Sequence, residues 1–247
     1  MRGKKRIVGV IPARYDSKRL PGKPLSDICG KPMVVRVWMR ASRSSVLDRV
    51  LVATDDSRIM AVCRRYSVPV VMTSRGLPSG SDRVFEALRE ESYDIAVNIQ
   101  GDEPLLDPAA ITQLVQSLPV SEERSAVASL AHPVTDVREF LDPDVVKVVI
   151  GKQGQALYFS RSPLPYSPEG VPERALRHIG LYAFTKEALA VFVALPQGKL
   201  EQQERLEQLR LLEAGLPIYI STVEVHQGGV NTDEDLERVR TVFRDSE

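Results

Sequence analysis

Short apolar runs that alternate with helical periodicity constrain this chain more than any other feature. Ile7 to Ile11, Arg49 to Thr54, Val68 to Met72 and Ile95 to Ile99 have strand length and near-continuous apolar character, as expected of strands covered on both faces. Between them, Val34, Val37, Trp38 and Ala41, then Ile59, Val62, Cys63 and Tyr66, then Val84, Ala87 and Leu88 recur at the spacing of one helical face. Strand, helix and strand in alternation predict an α/β fold, a mostly parallel sheet with helices on both faces. From Ala126 the rhythm changes. Residues 126–130, 145–150 and 156–159 read as strands with few helical residues between them, so a smaller β-rich lobe is expected.

The first strand is followed by the most distinctive loop. Pro12 cannot donate to a sheet ladder and is expected to stop the strand. Arg14, Lys18, Arg19 and Lys23 then fall within ten residues, broken by Asp16 and the turn pair Pro21-Gly22. Ligands of open α/β sheets bind beyond the carboxyl ends of the strands, so four cations there suit a polyanion such as a nucleoside triphosphate. This is not a Walker A loop, because neither Gly22-Lys23-Pro24 nor Gly30-Lys31-Pro32 carries a Ser or Thr after the lysine. A dinucleotide-binding G-x-G-x-x-G is also missing.

A second signal lies at Gln100-Gly101-Asp102-Glu103-Pro104, directly after an apolar strand. A carboxylate released from a strand end by glycine and bounded by proline is the type of group that holds magnesium beside phosphate oxygens. Asp102 is that candidate. Asp55-Asp56, also at a strand end, reads instead as a helix N-cap. Ser79, Gly80 and Ser81 open a helix and make a candidate anion or base pocket.

Composition sets bounds on partners. Lys plus Arg equals Asp plus Glu at 33 each, so no net field draws the protein to nucleic acid or to an anionic membrane. Two cysteines without metal-ligand spacing fit a reduced, cytoplasmic protein whose thiols serve packing. The apolar run after the basic start Met1 to Arg6 is too short for a signal-peptide core, and no stretch has the length of a membrane span.

The runs Pro12-Ala13-Arg14-Tyr15, Arg19 to Leu25 and Gly30-Lys31-Pro32-Met33 closely resemble the N-terminal signature of 3-deoxy-manno-octulosonate (Kdo) cytidylyltransferases. Further blocks follow in the family's order: Ser79 to Arg83, Gln100 to Pro104, Val145 to Val149, Phe159-Ser160-Arg161, Arg177 to Tyr182, Leu206 to Arg210 and Gly229 to Thr232. The resemblance implies a Rossmann-like nucleotidyltransferase sheet with a sugar-binding and dimerisation lobe. One domain would span 1–247, with a nucleotide-binding half to about 125, the β-rich portion over about 126–215, and a strand and helix in 216–247 returning to the main body. It implies a cytoplasmic homodimer that joins CMP from CTP to Kdo with magnesium as cofactor, for lipopolysaccharide biosynthesis. Two rival readings stand beside it, a cytidylyltransferase for an 8-amino-Kdo analogue or another acidic sugar, and a non-catalytic CTP-binding protein.

Residue by residue, the resemblance gives Arg14, Lys23 and Asp102 catalytic roles. It gives the nucleotide to Pro12, Ala13, Arg14, Lys18, Arg19, Lys23, Ser79, Gly80, Ser81 and Gln100. Ser81 and Asp82 stand where the family usually has Thr and Glu. Arg161, at a strand end, suits a forked grip on the sugar carboxylate. His178 alone reads as structural; the resemblance makes it a sugar contact. Leu200 to Ala214 reads as one helix with Leu206, Leu209 and Leu212 buried, and with Glu204 and Gln208 on a neighbouring polar face. Periodicity leaves Glu207 and Gln208 either solvated or facing the sugar, as the family has them. The family usually carries Asp where this chain has Asn231, so the metal set would be Asp102 with Asn231, one negative charge fewer.

Overall fold

The structure, a computed structural model, describes residues 4–16, 20–119, 125–168, 170–224 and 228–245. The chain forms two compact units, Met1–Thr112 with Gln227–Glu247, and Gln113–His226. In chain order the elements are β1 (Ile7–Ala13), a 3-10 turn (Lys23–Leu25), the hairpin β2 (Asp27–Ile28) and β3 (Lys31–Pro32), α1 (Met33–Ala41), β4 (Arg49–Thr54), α2 (Ser57–Arg65), β5 (Val70–Met72), α3 (Gly80–Ala87), β6 (Ile95–Asn98) and α4 (Pro108–Gln116). They continue with β7 (Val127–Pro133), α5 (Val137–Leu141), β8 (Lys147–Ile150), β9 (Ala156–Ser160), β10 (Leu176–Thr185), α6 (Lys186–Ala194), α7 (Lys199–Glu204), α8 (Leu209–Glu213), β11 (Ile218–Thr222) and α9 (Asp233–Arg244).

In the first unit β6, β1, β4 and β5 lie side by side in parallel. Val8, Val10, Ile11, Leu51, Val52, Ala96 and Val97 have no exposed surface, which is why these strands read as continuous apolar runs. The first strand does not stop at Pro12. It runs to Ala13, because β6 pairs with β1 only as far as Val10, and at Pro12 the partner is Ala53 of β4 alone. A missing N–H is tolerated where one flank of the strand carries no ladder.

Asp56 caps α2, accepting from Arg58 N at 2.8 Å. The hydrogen bonds from the Arg58 side chain hold its carboxyl down at about 2, against the opposing effect of burial. Its neighbour Asp55 pairs at 2.8 Å with the fully buried guanidinium of Arg83. Among the described residues no cluster of three or more His, Cys, Asp and Glu side chains forms a metal site. Cys63 is buried, and burial pushes its thiol up to about 11, so it packs and does not react.

In the second unit β7 is antiparallel to β10 and parallel to β11, and β8 pairs antiparallel with β9 and β10. The expected boundaries at 125 and 215 shift accordingly. Because β11 pairs with β7 along its whole length, it stays with the β-rich unit, and the return to the first unit begins only at Gln227. The single helix expected over 200–214 is broken. Arg205 takes a left-handed conformation (φ 56°) and closes α7, with its own N–H reaching back to Glu201 O, a helix stop of the αL type. The break removes the register that set Glu204 beside Gln208 and leaves Leu211, not Leu212, fully buried. Arg210 and Glu201 instead form a buried bidentate pair at 2.8 and 2.7 Å, with Arg210 over the Phe192 ring at 4.4 Å.

Candidate active site

Beyond the carboxyl end of β1 the basic loop folds onto itself. Gly22 N donates to Tyr15 O at 3.1 Å, and Gly22 has φ 72° with the Tyr15 hydroxyl 3.1 Å from where a Cβ would stand. The Tyr15 ring in turn lies under the Arg58 guanidinium at 3.3 Å. Arg14 is exposed and donates to the Leu77 carbonyl. Lys18 and Arg19 lie outside the described residues.

Lys23 is turned toward the second signal. Its Nζ donates to Asp102 Oδ2 at 2.6 Å and to Val230 O at 2.8 Å, while Val230 N donates to Asp102 O at 2.8 Å. Three segments far apart in sequence therefore meet through Lys23 and the Asp102 backbone and carboxylate, and Asn231 is the next residue along. Asn231 N and Thr232 N both donate to Asp235 Oδ2, at 2.9 and 3.1 Å. Burial pushes the Asp235 carboxyl up, and these N–H groups with Arg238 outweigh it, so the carboxyl sits below its ordinary value.

Gly101 is required by space. A Cβ there would lie 2.8 Å from the Pro12 carbonyl oxygen, a backbone atom that cannot swing aside. Gly101→Ala is expected to displace the loop that carries Gln100 and Asp102, lowering kcat/KM by about tenfold or more and stability by about 1–3 kcal/mol. Steady-state kinetics beside a thermal melt check this; an unchanged kcat/KM would show that the loop tolerates the shift.

Ser79 caps α3, its Oγ accepting from Asp82 N at 3.1 Å. Ser81 is fully buried, and Asn98 Nδ2 donates to its Oγ at 3.3 Å. A Cβ on Gly80 would lie 3.5 Å from Asn98 Nδ2 and 3.9 Å from Pro12. Pro12, Ser79 to Ser81 and Asn98 are thus gathered at one place, as the parallel pairing of β1 with β6 requires. Asn98 was missed in the sequence. Its signal is an amide in an otherwise apolar buried strand, and its Oδ1 is buried with no hydrogen-bond partner among the described residues.

The second unit gathers the residues expected to meet the sugar. Arg161, just past β9, donates from Nε to Glu204 O and from Nη1 to Pro143 O, both at 2.9 Å. Two of its three side-chain nitrogens thus donate to backbone carbonyls. The anchor is Glu204, also missed in the sequence, whose carboxylate accepts from Ser160 Oγ at 2.6 Å and Arg161 N at 3.0 Å. Gln208 is buried, and its Nε2 has no hydrogen-bond partner among the described residues. Glu207 is half-buried. Burial, with the Glu207 charge as a lesser cause, pushes the Tyr182 hydroxyl well above its ordinary value. His178 stands edge-on to Phe159 at 4.9 Å and tilted against Tyr182 at 5.4 Å. Its Nε2 is 2.8 Å from Ser129 Oγ.

A parallel sheet with a cationic loop after its first strand, and a carboxylate loop after a neighbouring one, has the layout of an α/β nucleotide-binding protein. The family model for cytidylyltransferases matches residues 8–221. The 3-deoxy-manno-octulosonate cytidylyltransferase of Chlorobaculum tepidum is 48% identical over 96% of this chain and 96% of its own, and that of Chlorobaculum parvum 48% identical over 97% and 98%. A solved structure of CMP:2-keto-3-deoxy-manno-octonic acid synthetase complexed with CTP is 40% identical, covers 98% of this chain and 100% of its own, and superimposes with a TM-score of 0.90. The chain belongs to the 3-deoxy-manno-octulosonate cytidylyltransferases. It is an enzyme of the nucleotidyltransferase class.

Proposed function

We propose that the protein transfers the cytidylyl group of CTP to the anomeric hydroxyl of Kdo and releases pyrophosphate. The observation that carries this reading is the meeting of Lys23, Asp102 and the Val230-Asn231 segment, in a chain so similar to Kdo cytidylyltransferases. In the reaction the sugar oxygen forms a bond to the α-phosphorus as the bond to the bridging β-phosphate oxygen breaks in line, and the hydroxyl proton is released. Little covalent chemistry falls to the protein, so charge and position carry catalysis. Arg14 and Lys23 neutralise the triphosphate and the departing pyrophosphate. Pro12, Ala13, Ser79 to Ser81 and Gln100 hold the nucleoside; Arg161, His178, Glu207 and Gln208 hold the acidic sugar, where the buried amide of Gln208 still has a hydrogen bond to give.

The donor set fits magnesium, which accepts one or two protein oxygens and completes its shell with water and phosphate. Asp102 and the Asn231 amide oxygen would hold it, and when bound it supplies charge neutralisation at the phosphate oxygens. A unit charge at about 4 Å is worth roughly 4 kcal/mol at an effective dielectric near 20, before desolvation is subtracted. Asn231→Asp is therefore expected to lower the magnesium concentration for half-maximal turnover by about tenfold. A magnesium titration of both proteins checks this, and an unchanged midpoint would remove Asn231 from the metal set. The resemblance also carries a cytoplasmic homodimer into this reading.

Pyrophosphate release by the purified protein, with CTP and magnesium, with and without Kdo, and with ATP, GTP and UTP as controls, tests the whole assignment. Release only with CTP and Kdo is the expected result. Bound CTP with no release on adding Kdo would overturn it, and the 8-amino analogue would then be tried, since Asn231 is the departure that favours a variant acceptor.

A further inference from the structure

The pairing of β10 with β7 slips at one point. His178 faces Ala131 and Ile179 faces Leu130, but the ladder resumes only at Tyr182 opposite Ser129. Gly180 and Leu181 are the extra residues of a bulge, and bulges leave backbone groups without ladder partners and re-aim the side chains beside them. Ser129 stands opposite this bulge and is fully buried. Its Oγ lies 2.7 Å from Leu181 O, 3.1 Å from Ile179 O and 2.8 Å from His178 Nε2.

A serine hydroxyl has one hydrogen to donate and lone pairs to accept with. Carbonyl oxygens only accept, so the hydrogen must go to a bulge carbonyl, Leu181 being the nearer. Were it spent on the imidazole instead, two carbonyls would face an oxygen lone pair in a buried site, which is costly. The Ser129 lone pair therefore faces Nε2, and Nε2 must carry a hydrogen. The ring plane is set independently by the Phe159 and Tyr182 rings.

We propose that Ser129 is a positioning residue that locks His178 in the Nε2–H form, so that in the neutral ring Nδ1 is the acceptor and a second proton is taken up only at Nδ1. Whatever meets Nδ1 of the neutral ring must donate, as a sugar hydroxyl does; the charged ring offers that same position a donor suited to a carboxylate. The bulge and the histidine are thus one device, in which the strand irregularity supplies the carbonyls that orient the serine. This deepens the proposed function and rests on His178 contacting the acidic sugar.

Long-range 1H–15N correlation spectra of the labelled enzyme at about pH 8, above the ordinary imidazole range, read the tautomer directly. His178 is one of three histidines, and His178→Gln identifies its signals by their loss. The expected spectrum has Nε2 protonated and Nδ1 unprotonated; a neutral ring protonated on Nδ1 overturns the proposal whatever the variants do. Ser129→Ala is expected to show both tautomers and to raise KM for Kdo about tenfold with KM for CTP unchanged, and Ser129→Thr, which keeps the hydroxyl, to restore both. Retention of the pure Nε2–H form in Ser129→Ala, or equal loss toward CTP and Kdo in a folded variant, overturns it. If Ser129→Ala does not fold, the wild-type and Ser129→Thr spectra still decide the tautomer. An unchanged KM for Kdo in His178→Gln would remove the sugar contact instead, a failure of the functional reading that leaves the tautomer to stand on the spectra.

Discussion

Asp102→Asn is expected to lower pyrophosphate release by about 10³-fold or more while the protein stays folded. The substitution conserves volume and leaves the Asp102 backbone oxygen, which accepts from Val230 N, in place. What it removes is negative charge. Lys23 Nζ, 2.6 Å from Oδ2, loses its anionic partner, and the one carboxylate of the proposed metal set becomes an amide beside the amide of Asn231. Two neutral oxygens then have to hold a divalent cation that prefers carboxylates. Turnover with saturating CTP and Kdo, a circular dichroism spectrum and a thermal melt distinguish loss of chemistry from loss of structure. Turnover within a few-fold of wild type would exclude Asp102 from the reaction.

The second large effect is on stability and lies in the other unit. Arg210→Leu is expected to cost about 3–5 kcal/mol, because it strands the buried Glu201 carboxylate that now accepts two hydrogen bonds from the guanidinium. For a chain of this size that corresponds to a fall in Tm of roughly 6–20 °C. The double variant Glu201→Leu with Arg210→Leu should recover much of the loss, since a buried ion pair returns little more than its own desolvation. A melt of both variants checks this. Equal destabilisation by the single and double variants would show that packing against Phe192, and not the stranded charge, sets the cost.

Fold class was legible because burial on both faces leaves a local mark. β4 begins and ends at the residues its apolar run marks, and β1 and β6 do so within two residues, since a strand covered on both sides has no polar alternation to blur its ends. The cap at Asp56 was legible for a similar reason, because a cap acts within three residues of itself. Asp102 stood out through its own neighbours, glycine before it and proline after. The close approach of Gly101 to Pro12 gives that glycine its reason, but the distance exists only once β1 and β6 lie side by side.

Other features depend on residues far apart in sequence. The helix break at Arg205 has no glycine or proline to announce it, and the periodicity of Leu200 to Ala214 runs straight through it. Glu204 and Ser129 look like a surface acid and a small strand residue until Arg161 and the β10 bulge are brought to them. By itself, then, the sequence determined the alternation of strands and helices, the cationic loop, the acidic strand end and the family, all of which rest on short-range patterns. Only the tertiary structure decided that Lys23 reaches Asp102, that Arg161 donates to backbone carbonyls, that Asn98 lies beside Gly80 and Ser81, and that Ser129 meets His178. Those are hydrogen bonds between segments tens to hundreds of residues apart, and no local pattern encodes the partner of a buried polar group.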